Sequence, residues 1–488
     1  MTRSLAAGFR QRGSLGGFAA QMPFGRMGIA LAPIVIAVGL AAAAGTDTLP
    51  LALEALALVI LLLIGLRSPV TILMLFAALI PAEDALTIGG PGTATVTKFV
   101  GFVFAAAYVI NRRQLPRLAV IPAVGWAFVL WALASGLWTV DFAAWSVTIL
   151  TLCQMFVLAL LVGDLVSRDP PVASRVLWAY SLSALLVVLV FVAAPYLSGV
   201  TQARWQAFAG QDSLQFAAQL VPAFLFLVSG VGQATPNGER SKLIAVATMA
   251  GTAVLGWGLI LTEGRGALLG LALGVVVLAA TGTGRRRGRS LVLATIVLLA
   301  GIAVFTPGLV DPLVARFSDA AASGGSGRLD IWAVGAVIFA EHPVLGVGYG
   351  AFSSAYTSDV IRSAVVPGLA PTVLTPGWGA SSLLVTTAAE LGIVGVAFLG
   401  VFLWSVLAAK SGQSVGKLVR AALLATLAQA MLLDMFERKQ LWLLVGIALG
   451  LAAATKKPAA DAAGAEVPRR SVTRSTRARS RSAADRGS

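Results

Sequence analysis

The chain consists of long apolar runs that alternate with short polar segments. A helix needs about 20 consecutive apolar residues to cross a bilayer, and most of these runs approach that length. The runs at 69–81 and 266–282 are short for a full crossing, so the pattern predicts an all-α polytopic membrane protein with twelve to fourteen transmembrane helices. The predicted helical runs are 27–45, 49–66, 69–81, 95–110, 119–138, 143–163, 176–197, 214–232, 243–261, 266–282, 290–306, 384–408, 418–436 and 440–455.

The composition supports this assignment and excludes other classes of protein. Of the 488 residues, 58% are hydrophobic and 12% are charged, whereas a soluble domain carries about 25% charged residues. A disordered chain and a large soluble catalytic domain are therefore excluded. Cys153 is the single cysteine and His342 the single histidine, so we expect no internal disulfide, no metal site and no cofactor.

Charge is distributed unevenly between the two predicted sides of the membrane. If both termini are cytoplasmic, most of the 36 Lys and Arg residues lie inside and most of the 21 Asp and Glu residues lie outside, in agreement with the positive-inside rule. The formal net charge of +15 therefore describes the cytoplasmic surface. Nucleic acid is not an expected partner.

The sequence predicts five consecutive parts. They are a basic cytoplasmic N-terminus at 1–26, a membrane domain with eleven spans at 27–306, a large outer loop at 307–383, three further spans at 384–455, and a basic cytoplasmic tail at 456–488. The tail is rich in Ala, Ser, Thr and Pro and cannot bury a core, which predicts disorder. Its basic residues are suited to contact anionic membrane lipids.

The outer loop contains a predicted amphipathic helix that begins at Arg328 and ends at His342. Its apolar positions recur at spacings of three and four, which predicts a helix lying on the outer membrane surface. The following GVGYGAF segment at 346–352 superficially suggests a phosphate-binding loop, but no strand of a βαβ unit precedes it, so a tight turn is predicted. The apolar positions are Leu329, Trp332, Ala336 and Phe339.

Three arginines border apolar runs on the net acidic outer side: Arg204, Arg265 and Arg328. A guanidinium group stays charged and pairs bidentately with phosphate, so these residues are candidates for binding a diphosphate at the membrane interface. The alternative is that each arginine caps a helix, contacts lipid headgroups or pairs with a nearby acid. The nearby acids are Asp212, Glu263 and Asp330.

Five segments, in the right order along the chain, resemble motifs of the O-antigen ligases and Wzy-type polysaccharide polymerases. They are ASGLWTVD at 134–141, RWQAFAGQDSLQFAAQL at 204–220, LTEGRGALLGLALG at 261–274, GRLDIWAVGAVIFAEHPVLGVGYGAF at 327–352 and ELGIVGVAFLG at 390–400. Together they cover most of the chain from about residue 130.

The resemblance implies an all-helical glycosyltransferase of the bacterial inner membrane whose large loop lies in the periplasm. It implies transfer of a glycan from undecaprenyl diphosphate to a glycan or lipid-linked acceptor, without a required metal, and with polysaccharide export proteins as further partners. Negative charge would develop on the departing diphosphate. Arg204 and Arg265 would stabilise that charge as it forms.

The chain departs from the family at the expected general base. Many ligases of the family carry His-Asn nine and eight residues before the motif glutamate, whereas this chain has Ser381 and Ser382 before Glu390. A serine hydroxyl cannot replace a poised imidazole. The absent pair favours a polymerase over a lipid A-core ligase. The candidate catalytic residues are therefore His342, Glu390 and Asp212, with Glu263 as a further one.

A lipid-linked oligosaccharide flippase, or another non-enzymatic membrane carrier, is the alternative function. Carriers usually hold charged residues near mid-membrane. Almost no ionisable residues lie inside the predicted spans. Glu54 is the ionisable residue that comes closest to such a position. An enzyme that acts at the outer face is therefore favoured.

Overall fold

The computed structural model is described over most of the chain between residues 68 and 465. The N-terminus, the first two predicted spans with Glu54, most of the run at 290–306 and the end of the tail lie outside the described residues. The described residues are 68–85, 87–88, 94–112, 115–200, 202, 205–208, 212–231, 239–281, 295–296, 301, 327–364, 374–411 and 413–465.

Helices dominate the described residues, which confirms the all-α polytopic fold. Four helices are long and apolar enough to cross a membrane, namely Phe142–Arg168, Pro171–Leu197, Ser213–Gly230 and Leu383–Ala408, and shorter apolar helices accompany them. The helices are α1 Pro69–Leu79, α2 Val96–Arg112, α3 Ala123–Ala134, α4 Phe142–Arg168, α5 Pro171–Val187, α6 Ala194–Leu197, α7 Ser213–Val231, α8 Glu239–Leu261, α9 Arg265–Thr281, α10 Arg328–Glu341, α11 Phe352–Ala355, α12 Ser358–Ser363, α13 Leu383–Ala408, α14 Ser414–Ala430 and α15 Lys439–Ala465.

Two features differ from the predicted pattern of elements. A short antiparallel pair joins β1 Thr87–Ile88 to β2 Ala94–Thr95, ahead of α2. Helix α15 continues to Ala465, into the segment predicted to be a disordered tail.

Helices α4 and α15 run parallel and pack closely through glycines. A Cβ atom added at Gly446 would lie 2.7 Å from the carbonyl oxygen of Ala159, and one at Gly450 would meet the carbonyl oxygen of Gly163. Small residues at these positions allow the two backbones to approach each other. The GxxxG spacing at 446–450 therefore has a packing role.

The segment 431–438, between α14 and α15, lies at the centre of one end of the bundle, which we call the site end. The guanidinium of Arg438 donates to the side-chain oxygen of Gln215 near the start of α7. A Cβ atom added at Gly266, in the first turn of α9, would lie 3.5 Å from Leu432. The N-termini of α7, α9 and α15 therefore meet around this segment.

Ionisable side chains are buried among the helices, just beyond the ends of the predicted apolar runs. Asp164 of α4 is fully buried and accepts hydrogen bonds from the Tyr108 hydroxyl and, at 2.7 Å, from Arg168 Nε. Glu83 and Lys439 form a buried ion pair. The sequence could not reveal the pair of Glu83 and Lys439, because these residues are distant along the chain. Such partners lower the cost of burying charge.

Helix α10 forms where predicted but packs on the protein through a different face. An added Cβ atom at Gly335 would meet Val385 of α13, whereas Leu329 and Ala336 of the predicted apolar face are exposed. Contact of that exposed face with a membrane stays a prediction. The residues buried against the protein are Ile331, Val334, Gly335 and Ile338.

Candidate active site

Helix α13 is broken near its start at Gly392. This residue has φ 64° and ψ −167°, a conformation that glycine adopts at little cost. The break exposes backbone groups that neighbouring segments satisfy. The N–H of Ile393 donates to the carbonyl of Pro343 at 2.9 Å, and the indole of Trp131 donates to the carbonyl of Leu391 at 3.1 Å.

The glycine-rich segment at 346–350 runs along this break. The N–H of Gly348 donates to the carbonyl of Glu390 at 2.9 Å. Gly346 has φ 71°, and an added Cβ atom there would overlap the backbone of Glu390, so a larger residue does not fit. The segment is a turn that holds the start of α13 in place.

The side chain of Glu390 is buried, with 4% of its surface exposed. Its Oε1 accepts a hydrogen bond from the backbone N–H of Phe352 at 3.2 Å, and the N–H of Gly350 also donates to the carboxyl group. Backbone donors on the glycine-rich turn and α11 therefore fix the position of this carboxyl group.

Glu390 lines a cavity of about 180 Å³ at the site end. Asp434 and Glu437, from the segment 431–438, line the same cavity, so three carboxyl groups face one space. We call this space the carboxyl cavity. Its other polar side chains are Thr148, Tyr349, Ser353, Thr386 and Thr387.

The surroundings of the cavity raise the pKa of Asp434 and of Glu437. Desolvation by the protein around each carboxyl group is the main cause, and the charge of Asp434 adds to the effect at Glu437. Arg438 opposes both shifts. Both residues nevertheless keep part of their surface exposed. A raised pKa brings a carboxylate closer to the range in which it accepts protons efficiently.

Sequence reasoning missed Asp434 and Glu437. The predicted run at 418–436 placed Asp434 within a span, whereas α14 ends at Ala430. The available signal was the stretch DMFERK at 434–439, which has four charged residues within six positions between two apolar runs.

His342 occupies a different place from Glu390. It is the C-terminal cap of α10, where its N–H donates to the carbonyls of Ile338 and Phe339, each at 3.2 Å, and its side chain is exposed. The imidazole lines a separate hollow of about 310 Å³ beside Trp138, and this hollow shares no lining residue with the carboxyl cavity. The structure therefore does not bring His342 and Glu390 into one pocket.

The predicted arginines stand at the starts of helices. Arg265 is the first residue of α9 and Arg328 the first of α10, and both are half-buried. Arg204 lies outside the described residues. Its neighbour Trp205 donates its backbone N–H to the carbonyl of Leu261 at 3.4 Å, four residues before Arg265.

Asp212 serves as a helix cap. It is exposed, and its Oδ1 accepts the N–H of Leu214 at 2.9 Å, while its carbonyl accepts the N–H of Phe216 at 3.0 Å. These contacts account for an aspartate before α7 by helix capping alone.

Ser381, at the position of the family histidine, lies at the edge of the carboxyl cavity. Its neighbour Ala380 and the nearby Leu383 line the cavity, and Ser381 itself has φ 49°. Within the described residues, no group of three or more His, Cys, Asp or Glu residues is arranged to hold a metal ion.

Comparison with protein families identifies one region of the chain. Residues 250–400 match the family model described as O-antigen ligase, which confirms the resemblance seen in the sequence. Arg265, Arg328, His342 and Glu390 lie within the match, whereas Asp434 and Glu437 follow it. No curated protein matches the chain.

Proposed function

We propose that the chain, whose residues 250–400 match the family model described as O-antigen ligase, joins lipid-linked oligosaccharides at the outer face of the bacterial inner membrane. One observation supports this most strongly. The matched region ends in the broken helix α13, and Glu390 of that helix faces a cavity with two further carboxyl groups.

The proposed donor is a glycan linked to undecaprenyl diphosphate, and the leaving group is the lipid diphosphate. Arg204, Arg265 and Arg328 are the proposed diphosphate ligands. Arg265 begins α9, where the positive end of the helix dipole also favours an anion. A fixed guanidinium stabilises the leaving group most when its charge develops in the transition state.

In the proposed reaction the acceptor hydroxyl gives its proton to a carboxylate, and its oxygen bonds to the anomeric carbon. The bond from that carbon to the diphosphate oxygen breaks, and the electron pair leaves with the diphosphate. We assign proton acceptance to Asp434 or Glu437, because both are exposed residues that line the cavity, whereas Glu390 is buried and accepts a backbone hydrogen bond. Glu390, which lines the same cavity, would orient the acceptor.

This assignment sets an order among the catalytic residues that the sequence predicts. His342 lines a separate hollow and Asp212 caps a helix, so the cavity carboxyl groups take precedence over both. Because Ser381 replaces the histidine of many ligases, we favour a polymerase, whose acceptor is itself a lipid-linked glycan. The reaction calls for neither a nucleotide sugar nor a metal.

Reconstitution tests the proposal against the carrier alternative. Proteoliposomes with the full chain and a defined undecaprenyl-diphosphate oligosaccharide should produce longer lipid-linked chains together with free undecaprenyl diphosphate. Arg265→Ala should remove most of this product while the protein still inserts, and Lys410→Ala is the matched control. Movement of the intact lipid across the bilayer, without chain extension, would favour the carrier.

A further inference from the structure

A groove between α2 and α4 is charged at one end and apolar along its length. Its volume is about 280 Å³. Lys98, Gln154 and Lys439 line one end, and the wall then follows α4 from Gln154 to Leu161, which corresponds to about 10 Å of helix. The apolar lining includes Phe76, Phe102, Phe104, Val157 and Leu158.

The two lysines differ in whether an acidic side chain pairs with them. Lys439 is 6% exposed and pairs with Glu83. Lys98 is exposed in the first turn of α2 and, among the described residues, forms no ion pair. Lys98 and Lys439 also stand in the first turns of their helices, where the helix dipole favours an anion. The charged end of the groove is therefore complementary to an anionic head group.

The groove adjoins the proposed active site through the segment 431–438. Leu432 lies beside α9, whose first residue is Arg265. Asp434 and Glu437 line the carboxyl cavity, and the next helix begins at Lys439, in the groove. The charge of Lys98 also acts on the carboxyl group of Glu437. The segment 431–438 therefore connects the start of α9, the carboxyl cavity and the charged end of the groove.

Building on the proposed function, we propose that this groove binds the lipid of the acceptor substrate. A polyprenyl chain would lie along α2 and α4, with its phosphate at Lys98 and Lys439. The attached sugar would then reach the carboxyl cavity, while the donor diphosphate occupies the arginines. The enzyme would thus hold two lipid anchors at once, as joining two lipid-linked chains requires.

Cys153, the single cysteine of the chain, lines this groove and can report its occupancy. In proteoliposomes, added polyprenyl phosphate should slow maleimide labelling of Cys153 at least fivefold. The matching polyprenol and phosphatidylglycerol should have little effect. Equal protection by phosphatidylglycerol would mean that ordinary bilayer lipid fills the groove, and protection only by an acylated phosphosugar would mean a different acceptor. Either result would overturn the proposal.

Charge removal tests the lysine end. Lys98→Met should weaken the protection by polyprenyl phosphate about tenfold, Lys98→Arg should restore most of it, and Lys410→Met, on a distant loop, should leave it unchanged. Thermal unfolding of each variant checks that the fold is kept. Wild-type protection in folded Lys98→Met would overturn the role of the lysine.

Filling the groove is an independent test that does not rely on Cys153. Ala105 lines the groove, whereas its neighbour Ala106 is exposed and does not. Native mass spectrometry with polyprenyl phosphate should show one fewer bound lipid for Ala105→Trp than for wild type, and no loss for Ala106→Trp. Equal lipid counts for both variants would contradict the site.

The outcomes separate this inference from the proposed function. Chain extension without protection of Cys153 would contradict the groove proposal and support the proposed transferase activity. Protection of Cys153 without chain extension would support the lipid site and contradict the proposed transferase activity.

Discussion

The carboxyl group of Asp434 is less hydrated in the folded protein than in the unfolded chain. Desolvation raises its pKa, with Arg438 opposing the shift. A raised pKa means that the folded state binds the proton more tightly than the unfolded state. The contribution of Asp434 to stability is therefore most favourable at low pH, and it declines as pH rises above the ordinary carboxyl range through the folded-state pKa.

This sign predicts the effect of Asp434→Asn on stability. The variant should melt at a higher temperature than wild type at pH 8, and the difference should shrink as pH falls toward 4. Melting curves in detergent at several pH values measure it. Asp359→Asn is the control, since Asp359 is an exposed carboxyl group paired with Arg362 at 2.8 Å. A lower melting temperature of Asp434→Asn at pH 8 would contradict the prediction.

Gly346 tests the turn that holds α13. An alanine there requires φ 71° and places its Cβ atom against the backbone of Glu390, so Gly346→Ala should destabilise this region by about 2 kcal/mol or more and remove activity. Gly377 also has positive φ, 92°, but among the described residues no atom lies within 4 Å of an added Cβ. Gly377→Ala should therefore cost only about 1 kcal/mol and keep activity. Similar activities in the two variants would contradict the role of the turn at 346–350 in holding α13.

Among the elements, α4 and α15 depend on glycine for their close approach. Gly446→Ala should destabilise the protein by about 1–3 kcal/mol, because the new Cβ atom would lie 2.7 Å from the carbonyl of Ala159. In the part of the chain that the structure describes, no atom lies within 4 Å of a Cβ added at Gly400 of α13. Gly400→Ala should raise stability by up to about 1 kcal/mol, since alanine favours the helix. Equilibrium unfolding distinguishes the opposite signs, and equal signs would contradict the packing described.

The elements also show where sequence reasoning succeeds and where it stops. The run at 384–408 predicts α13 within one residue, because a long apolar run reports membrane burial directly. The break at Gly392 was not predictable, since ELGIVGVAFLG reads as one continuous helix. Likewise, the spacing found α10 but did not reveal the face through which it packs on the protein, because both faces of that helix carry apolar residues.

In the whole molecule, the carboxyl cavity joins segments that are distant in sequence. The glycine-rich turn at 346–350, helix α13 and the segment 431–438 each contribute to it. The family motifs led to Glu390 and the glycine turn. They could not lead to Asp434 and Glu437, which lie beyond the matched residues 250–400 and enter the cavity only through packing of the last two helices.

The proximity of Arg204 to Arg265 stays a prediction. The sequence predicts that Arg204 and Arg265 share one diphosphate. Trp205 and Leu261 are hydrogen-bonded at 3.4 Å, which brings the flanking segments together, while Arg204 itself lies outside the described residues.

The central claim is that the carboxyl cavity is the reaction centre, and one rate comparison tests it most directly. The initial rate of lipid-linked chain extension in proteoliposomes should fall at least about a hundredfold in the double variant Asp434→Asn/Glu437→Gln, as expected for loss of a general base. The matched double variant Asp169→Asn/Asp359→Asn removes two carboxyl groups that pair with arginines elsewhere in the protein, and it should extend chains at the wild-type rate. A wild-type rate in Asp434→Asn/Glu437→Gln would contradict the account.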